Sequence, residues 1–175
     1  MGASKRDDPK SDPKTSLRDQ LEQLQGRVCF MGVGNRDYGD DAFGVHLAQA
    51  LLEASVPDVV VAGNSPDRWL GTVTEMEFDH LVFLDAVEFD AEPGSAVFLD
   101  SREIITRYPQ ISTHKISLGV LANFIESNGI TKAWLLGVQP ESLKQGHDLS
   151  PTVRKTLGAL LELLFHLRMQ EVNAC

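Results

Sequence analysis

The feature that most constrains the fold is the stretch from Met31 to Gly44. An apolar run, Val28–Met31, enters a glycine-rich turn, and the turn leads through Asp40 and Asp41 into an amphipathic run that starts near Ala42. This order predicts a strand, a tight turn and a helix, with two carboxylates where the strand ends and the helix begins. In open α/β sheets, ligands bind at this edge. We therefore expect a parallel sheet with a site at its carboxyl edge.

Apolar runs alternate with helical patterns along the rest of the chain. Strands are predicted at Arg27–Val33, Asp58–Ala62, Leu81–Ala86, Ala96–Leu99 and Ala133–Val138. Helical patterns separate most of them, and a long final helix is predicted to begin at Ser150 and Pro151, which suit an N-cap and a first helical position. This alternation predicts a three-layer α/β fold: a twisted, mostly parallel sheet of about five strands with helices on both faces.

The N-terminal part of the chain differs in composition from the rest. Residues 1–15 combine many charged side chains with Pro9 and Pro13 and contain few apolar residues. Such a segment cannot bury enough apolar surface to offset its ordering entropy. We predict a flexible tail over residues 1–26, with one or two helical turns within residues 16–25, and a single domain over residues 27–175.

Composition excludes several classes of function. The formal net charge is −9 and the sequence pI is near 4.9, so the chain lacks the basic stripe that nucleic acids or anionic membranes require. Its apolar runs are shorter than the roughly 20 residues of a membrane-spanning helix. Cys29 lies in a predicted strand and Cys175 is the last residue, which is not a disulfide framework. We predict a cytoplasmic protein without nucleic-acid or membrane partners.

The glycines of the first turn do not make a dinucleotide site. Gly32 and Gly34 follow a strand, but the third glycine of that fingerprint would stand at Asp37. Asp40 and Asp41 would also lie beside the pyrophosphate, and their charges would repel it. The sequence therefore disfavours a nucleotide cofactor.

Three residues are candidates for the chemistry. Acids are favoured in the first turn of a helix, so Asp40 is predicted to cap the helix while Asp41 points towards the crevice. Asp85 ends a buried strand whose carboxyl end is expected beside that of the first strand. Two carboxylates so close repel each other, so either one holds a proton or a cation lies between them.

His114 is the third candidate, because it follows a polar stretch before a predicted helix on the same side of the sheet. Most loop histidines are simply exposed, and Asp85 could instead bond to backbone amides with His114 as its partner. Two carboxylates and an imidazole nevertheless suit a divalent metal such as nickel, zinc or iron. We take Asp41, Asp85 and His114 as candidate catalytic and metal-binding residues.

Five short motifs resemble one known family. They are Gly32-Val-Gly-Asn35, Gly39-Asp40-Asp41, Leu84-Asp85-Ala86, Ser112-Thr113-His114 and Leu136-Gly-Val-Gln-Pro140. In this order and spacing the chain resembles the hydrogenase maturation endopeptidases, aspartyl-type hydrolases that remove the C-terminal extension from the large subunit of nickel–iron hydrogenases. The phrase Thr113–Leu118 looks closest to the formate-hydrogenlyase branch. One departure is Ala42, where the family often has glycine.

The resemblance implies a mostly parallel α/β fold and a metal-binding role for Asp41, Asp85 and His114. It also implies that the partner is the large-subunit precursor and that the metal is the nickel already installed in it. Another divalent ion, such as zinc or cadmium, is expected to take the site in a crystal. Cleavage would follow a His or Arg just beyond the last cysteine motif of the precursor.

The working hypothesis is an open pocket that docks on the precursor's nickel and so places the scissile bond for hydrolysis. Either the metal or a carboxylate would activate water. Two alternatives stay open at this point. One is a non-catalytic nickel-sensing partner of the large subunit, and the other is a small metal-dependent hydrolase.

Overall fold

The computed structural model describes residues 15–107 and 117–174 of the chain. Its five strands are β1 (Val28–Val33), β2 (Val59–Gly63), β3 (His80–Ala86), β4 (Ala96–Asp100) and β5 (Lys132–Val138). Its helices are α1 (Leu17–Glu22), α2 (Phe43–Glu53), α3 (Leu70–Glu75), α4 (Ser101–Arg107), α5 (Leu118–Glu126) and α6 (Pro151–Ala174), with 3₁₀ turns at Gly39–Ala42 and Pro66–Trp69. The predicted mostly parallel α/β fold is confirmed.

The strands form one sheet in the order β2-β1-β3-β5-β4. All neighbours are parallel except β4, which pairs antiparallel with β5 at one edge. The register sets Gly32 beside Leu84, and Asp85 beside Gly137. The ends of β1 and β3 are therefore neighbours, as the sequence predicted, and the carboxyl ends of four parallel strands meet at one edge.

Each face of the sheet is covered by helices, which gives the three layers. Side chains alternate along β1, so that Phe30 packs towards α2 and α6 while Met31 packs towards α3 and α5. Both are almost fully buried. In β3 the same alternation sends Leu84 to the α2–α6 face and Phe83 to the α3–α5 face. Two apolar cores of this kind hold the strand ends in fixed positions.

Strand β2 is less covered than its apolar sequence predicted. An apolar, β-branched run of this kind is typical of a parallel strand buried on both faces, but all five of its residues are only half-buried. The reason is its place at the edge of the sheet, where β1 is its neighbour in the strand order. An edge strand has one side without a neighbouring strand, whatever its sequence.

The predicted helical turns near the N-terminus are confirmed, and they pack on the domain. Ser16 caps α1 through a capping box with Asp19. Leu21 and Leu24 are 1% and 2% exposed and lie in the same apolar core as α6. Arg168 of α6 donates to the Leu24 carbonyl over 3.2 Å. The packed part of the chain thus begins before residue 27, within the predicted tail over residues 1–26, while residues 1–14 of that tail lie outside the described residues. Among the helices described, none is both long and apolar enough to cross a membrane.

Candidate active site

The turn between β1 and α2 brings the helix unusually close to two strands. Gly34 has φ +135°, and a Cβ there would overlap the Asp41 carbonyl oxygen. A Cβ at Gly44 would overlap the carbonyl oxygens of Leu84 and Val33. Only glycine permits these approaches, so the pattern of glycines lets the first turn of α2 sit directly on the ends of β1 and β3.

Asp40 does not have the role that the sequence suggested. We predicted a helix cap, but α2 has no side-chain cap, and Asp40 instead turns away to the loop between β5 and α6. It is fully buried and accepts hydrogen bonds from the Glu141 and Ser142 amides and from the amide and hydroxyl of Ser150, over 2.7–3.0 Å. Asp40 therefore fastens the loop 141–150 to the turn of the site, because a buried carboxylate needs several donors.

Asp41 stays at the carboxyl edge, as predicted. Its side chain is 6% exposed, and its Oδ2 accepts the amide of Asn35 over 2.9 Å. This bond ties the carboxylate to the residues that immediately follow β1. The two adjacent aspartates thus have different partners: Asp40 binds the loop 141–150, and Asp41 binds the backbone that follows β1.

Asp85 is buried, with 1% of its surface exposed, and is the last residue but one of β3. By alternation its side chain belongs to the same face as Phe83, the face that α3 and α5 cover. Because β1 and β3 are adjacent, Asp85 lies one strand away from the turn that holds Asp41. The structure thus brings two of the predicted carboxylates to one edge.

Gln139 is a polar residue of this edge that received no role in the sequence analysis. It is 5% exposed, and its Oε1 accepts the amides of Phe89 and Ala91 at 2.8 and 3.3 Å. Its Nε2 donates to Glu88 over 2.8 Å. Gln139 therefore fixes the loop that follows Asp85. The signal was available in the motif Leu136–Pro140, but a glutamine after a strand has many ordinary explanations.

His114 lies outside the described residues, so its position relative to the two carboxylates stays a prediction. The helix that follows it is described. Ser117 caps α5, accepting the Val120 amide over 3.3 Å, and Glu126 at the far end of α5 accepts the Ala133 amide at the amino end of β5. Helix α5 therefore runs antiparallel to β5 and begins towards the carboxyl edge.

Within residues 15–107 and 117–174, no group of three His, Cys, Asp or Glu side chains is arranged to hold a metal ion. The candidate metal ligands described at the edge include the carboxylates of Asp41 and Asp85. Carboxylates with an imidazole would form a donor set suited to a divalent transition metal.

A thiol mechanism is disfavoured by the position of Cys29. The side chain is fully buried in β1, and this burial raises the pKa of the thiol to about 12, with the nearby Asp58 carboxylate adding to the rise. The nucleophilic form of cysteine is the thiolate. Cys29 is thus a core residue of β1, the strand in which the sequence analysis placed it.

Comparisons with known proteins assign the family. Residues 44–166 match the family model of HycI, hydrogenase maturation protease, and this match includes Asp85. The chain is 32% identical over 157 residues to the hydrogenase 2 maturation protease of Escherichia coli K12, which covers 85% of this chain and 94% of the relative.

Solved structures agree. The crystal structure of the [NiFe] hydrogenase maturation protease HycI from Thermococcus kodakarensis superposes with a TM-score of 0.77 at 30% identity, covering 86% of this chain and 99% of that one. The hydrogenase maturating endopeptidase HybD from E. coli gives a TM-score of 0.67 at 30% identity, covering 79% and 89%. On the family match, the identity and the shared fold, the chain belongs to the hydrogenase maturation protease family.

Proposed function

We propose that the protein removes the C-terminal extension from the large-subunit precursor of a nickel–iron hydrogenase after nickel has been inserted. Asp41, Asp85 and His114 read that nickel, which is part of the substrate. The observation that carries the proposal is a pair of buried carboxylates in a chain of this family: Asp41 in the turn that follows β1, and Asp85 near the end of the neighbouring β3.

The charges of the two carboxylates favour a cation at this edge. Asp41 and Asp85 are 6% and 1% exposed, so water screens their mutual repulsion poorly. A divalent ion near both relieves that repulsion, and carboxylate and imidazole are ligands that nickel accepts. We therefore expect the nickel of the precursor to bind at this edge.

The reach of the chain supports His114 as the third ligand. His114 stands three residues before Ser117, and three residues span at most about 10 Å. Since α5 begins towards the carboxyl edge, a histidine this close before Ser117 is our candidate for the third ligand.

Docking on the nickel would order the peptide beside the carboxylates, and such positioning lowers the barrier by converting a bimolecular encounter into an intramolecular step. Hydrolysis then adds water to the scissile carbonyl and transfers a proton to the leaving amide nitrogen. A carboxylate of the pair takes the water proton as general base. This assigns an aspartyl-type mechanism to the protein.

The direct test is to incubate the purified protein with nickel-loaded and nickel-free precursor and to follow the precursor's mass. We expect a loss of mass at the C-terminus of the nickel-loaded form only. Equal cleavage of both forms would refute nickel reading. Binding without any loss of mass would instead support a non-catalytic sensing partner, and zinc retained in the purified protein would support a small metal-dependent hydrolase.

Two variants assign the residues. Asp41→Asn and His114→Gln should each slow processing at least about 100-fold, since each removes a ligand or a proton acceptor. Asp37→Asn is the matched control, because Asp37 is exposed in the same turn. Normal processing by Asp41→Asn, with the control also normal, would remove Asp41 from the site.

The finer details of partner and place follow from the same proposal. The partner is the large-subunit precursor, and the compartment is the cytoplasm, consistent with the absence of a disulfide framework in the sequence. Cell fractionation with detection of the precursor and the protease in one soluble fraction tests both points.

A further inference from the structure

A second concave region lies beside the carboxyl edge, between α2 and α6. It is a cavity of about 380 Å³ lined by His46, Asp148, Leu149, Arg154 and Leu157, and we call it the α2–α6 cavity. His46 belongs to α2, and Arg154 and Leu157 belong to α6. The other two residues belong to the loop 141–150, which Asp40 binds. A cavity of this size accommodates a few residues of peptide or a small organic anion.

Two arginines and one aspartate act on His46 at the cavity, although the protein as a whole carries a net charge of −9. Arg36 and Arg154 both lie near enough to His46 to lower its pKa, after the larger effect of burial, while Asp148 acts in the opposite direction. Arg154 also donates to the Leu149 carbonyl over 3.3 Å, which holds the guanidinium at the cavity wall. The N-terminus of α6, a helix of 24 residues, adds partial positive charge.

Residues at the cavity are near those of the proposed site in the sequence. Arg36 directly follows Asn35, whose amide binds Asp41. His46 lies five residues after Asp41, past the start of α2. A peptide leaving the carboxylates along α2 would need only about three extended residues to reach the cavity, at roughly 3.3 Å per residue.

We propose that the α2–α6 cavity binds a carboxylate of the peptide segment on the C-terminal side of the scissile bond, held by Arg154, Arg36 and His46. This inference rests on the proposed function, because it assigns the substrate's leaving segment to the cavity. The carboxylate is either the terminal group of that segment or an acidic side chain within it.

The chemistry favours a carboxylate over a neutral group. A guanidinium presents N–H donors in a fork that matches the two oxygens of a carboxylate, and such charge-assisted bonds are about twice as strong as neutral ones. The lowered pKa of His46 keeps the imidazole neutral near pH 7, so it contributes a hydrogen bond. Binding of an anion would then raise the pKa of His46, since the negative charge offsets the two arginines.

The first experiment needs no cleavage. The full chain is titrated with N-acetyl-trialanine as the free acid and as the C-terminal amide, and the His46 ring signals are followed by NMR across pH 5–8. The free acid should shift the His46 signals and raise its pKa, while the amide should do neither. Equal effects of the two peptides, or no effect of either, would overturn the proposal.

The second experiment uses the nickel-loaded precursor. Arg154→Gln and Arg36→Gln should each raise KM about tenfold or more with kcat changed less than threefold, because a charge-assisted contact to the substrate is lost. Lys155→Gln is the matched control: it removes the same charge from the next position of α6, which does not line the cavity. An unchanged KM in both arginine variants would overturn the proposal.

Substrate variants distinguish the two sources of the carboxylate. If the terminal group is bound, an amidated precursor raises KM in the wild type and loses the effect in Arg154→Gln. If an acidic side chain is bound, one Glu→Gln or Asp→Asn change in the extension raises KM in the wild type. The same change has no effect on KM in Arg154→Gln. No effect from any of these changes would refute the cavity proposal. Failure of the proposed function would look different, since the wild type would not cleave the precursor at all.

Discussion

The two edges of the sheet use polar groups in different ways. At the amino edge, where the parallel strands begin, partners come in local pairs: the Arg27 amide donates to Asp79 over 2.8 Å, and the Trp134 indole donates to His80 over 3.0 Å. The Arg27 guanidinium also pairs with Asp58 over 3.2 Å. At the carboxyl edge, the carboxylates of Asp40, Asp41 and Asp85 are all buried, with Asp40 turned to the loop 141–150.

The difference shows that the fold accepts the free-energy cost of burying charged carboxylates at the carboxyl edge and not at the amino edge. The groups of the amino edge are half-buried or exposed and satisfy one another, so they only close the end of the sheet. The carboxyl edge needs glycines and a loop from a distant part of the chain to hold its acids, and its net negative charge suits a cation. Buried charge concentrated in this way is typical of functional sites.

The largest expected effect is a difference in processing rate between a variant of the carboxyl edge and a variant of the amino edge. Asp85→Asn should reduce processing of nickel-loaded precursor at least about 100-fold, because it removes a charge from the site. Glu126→Gln, a change of the same kind at a half-buried residue of the amino edge, should leave the rate within about twofold. The measurement is the rate of mass loss from the precursor. Similar losses in both variants would show that the edges do not differ in function.

The next effect is on stability and concerns Asp40. Asp40→Ala should lower the free energy of unfolding by about 3–5 kcal/mol, because four hydrogen bonds to one fully buried carboxylate are lost. Urea unfolding measures it, with Asp37→Ala as the exposed control. A loss below about 1 kcal/mol would mean that the loop 141–150 does not depend on Asp40.

A pair of glycines tests how closely α2 packs on the strands. Gly44→Ala should destabilise the fold by about 3 kcal/mol, because the added methyl group meets backbone carbonyls that cannot move aside. Gly158→Ala, at an exposed position of α6 with open space around it, should instead stabilise by up to about 1 kcal/mol. Thermal unfolding of both variants checks the opposite signs. The same sign for both would contradict the close approach at Gly44.

The smallest effect is a pH dependence from the amino edge. Burial lowers the pKa of His80 in the folded protein, and its Nδ1 accepts the Trp134 indole, so the folded state favours the neutral ring. The unfolded state protonates first as the pH falls, and stability should therefore decrease from about pH 6.5 downwards.

His80→Gln should flatten this slope, since glutamine can accept the indole without titrating. Urea midpoints at pH 7.5 and 5.5 measure it, and His166→Gln, at an exposed position of α6, is the control. An equal slope in His80→Gln and wild type would assign the acid sensitivity to another group, such as His46, whose pKa is lowered in the same direction.

Local pattern was enough to predict the elements. Periodicity and turn chemistry predict β1, β3 and the start of α6, because both depend only on neighbours in the chain. The positions of Asp41 and Asp85 at one edge followed from parallel pairing, which sends strand ends to the same side.

The sequence alone thus determined the α/β architecture, the family resemblance and the edge at which the acids lie, because these depend on short-range pattern. The tertiary structure alone decided which aspartate does what. Asp40 binds residues about 100 positions away, Gln139 holds a loop 50 positions earlier, and His46 and Arg154 line one cavity from two helices. Such contacts join segments that only folding brings together, so no local signal in the chain can specify them.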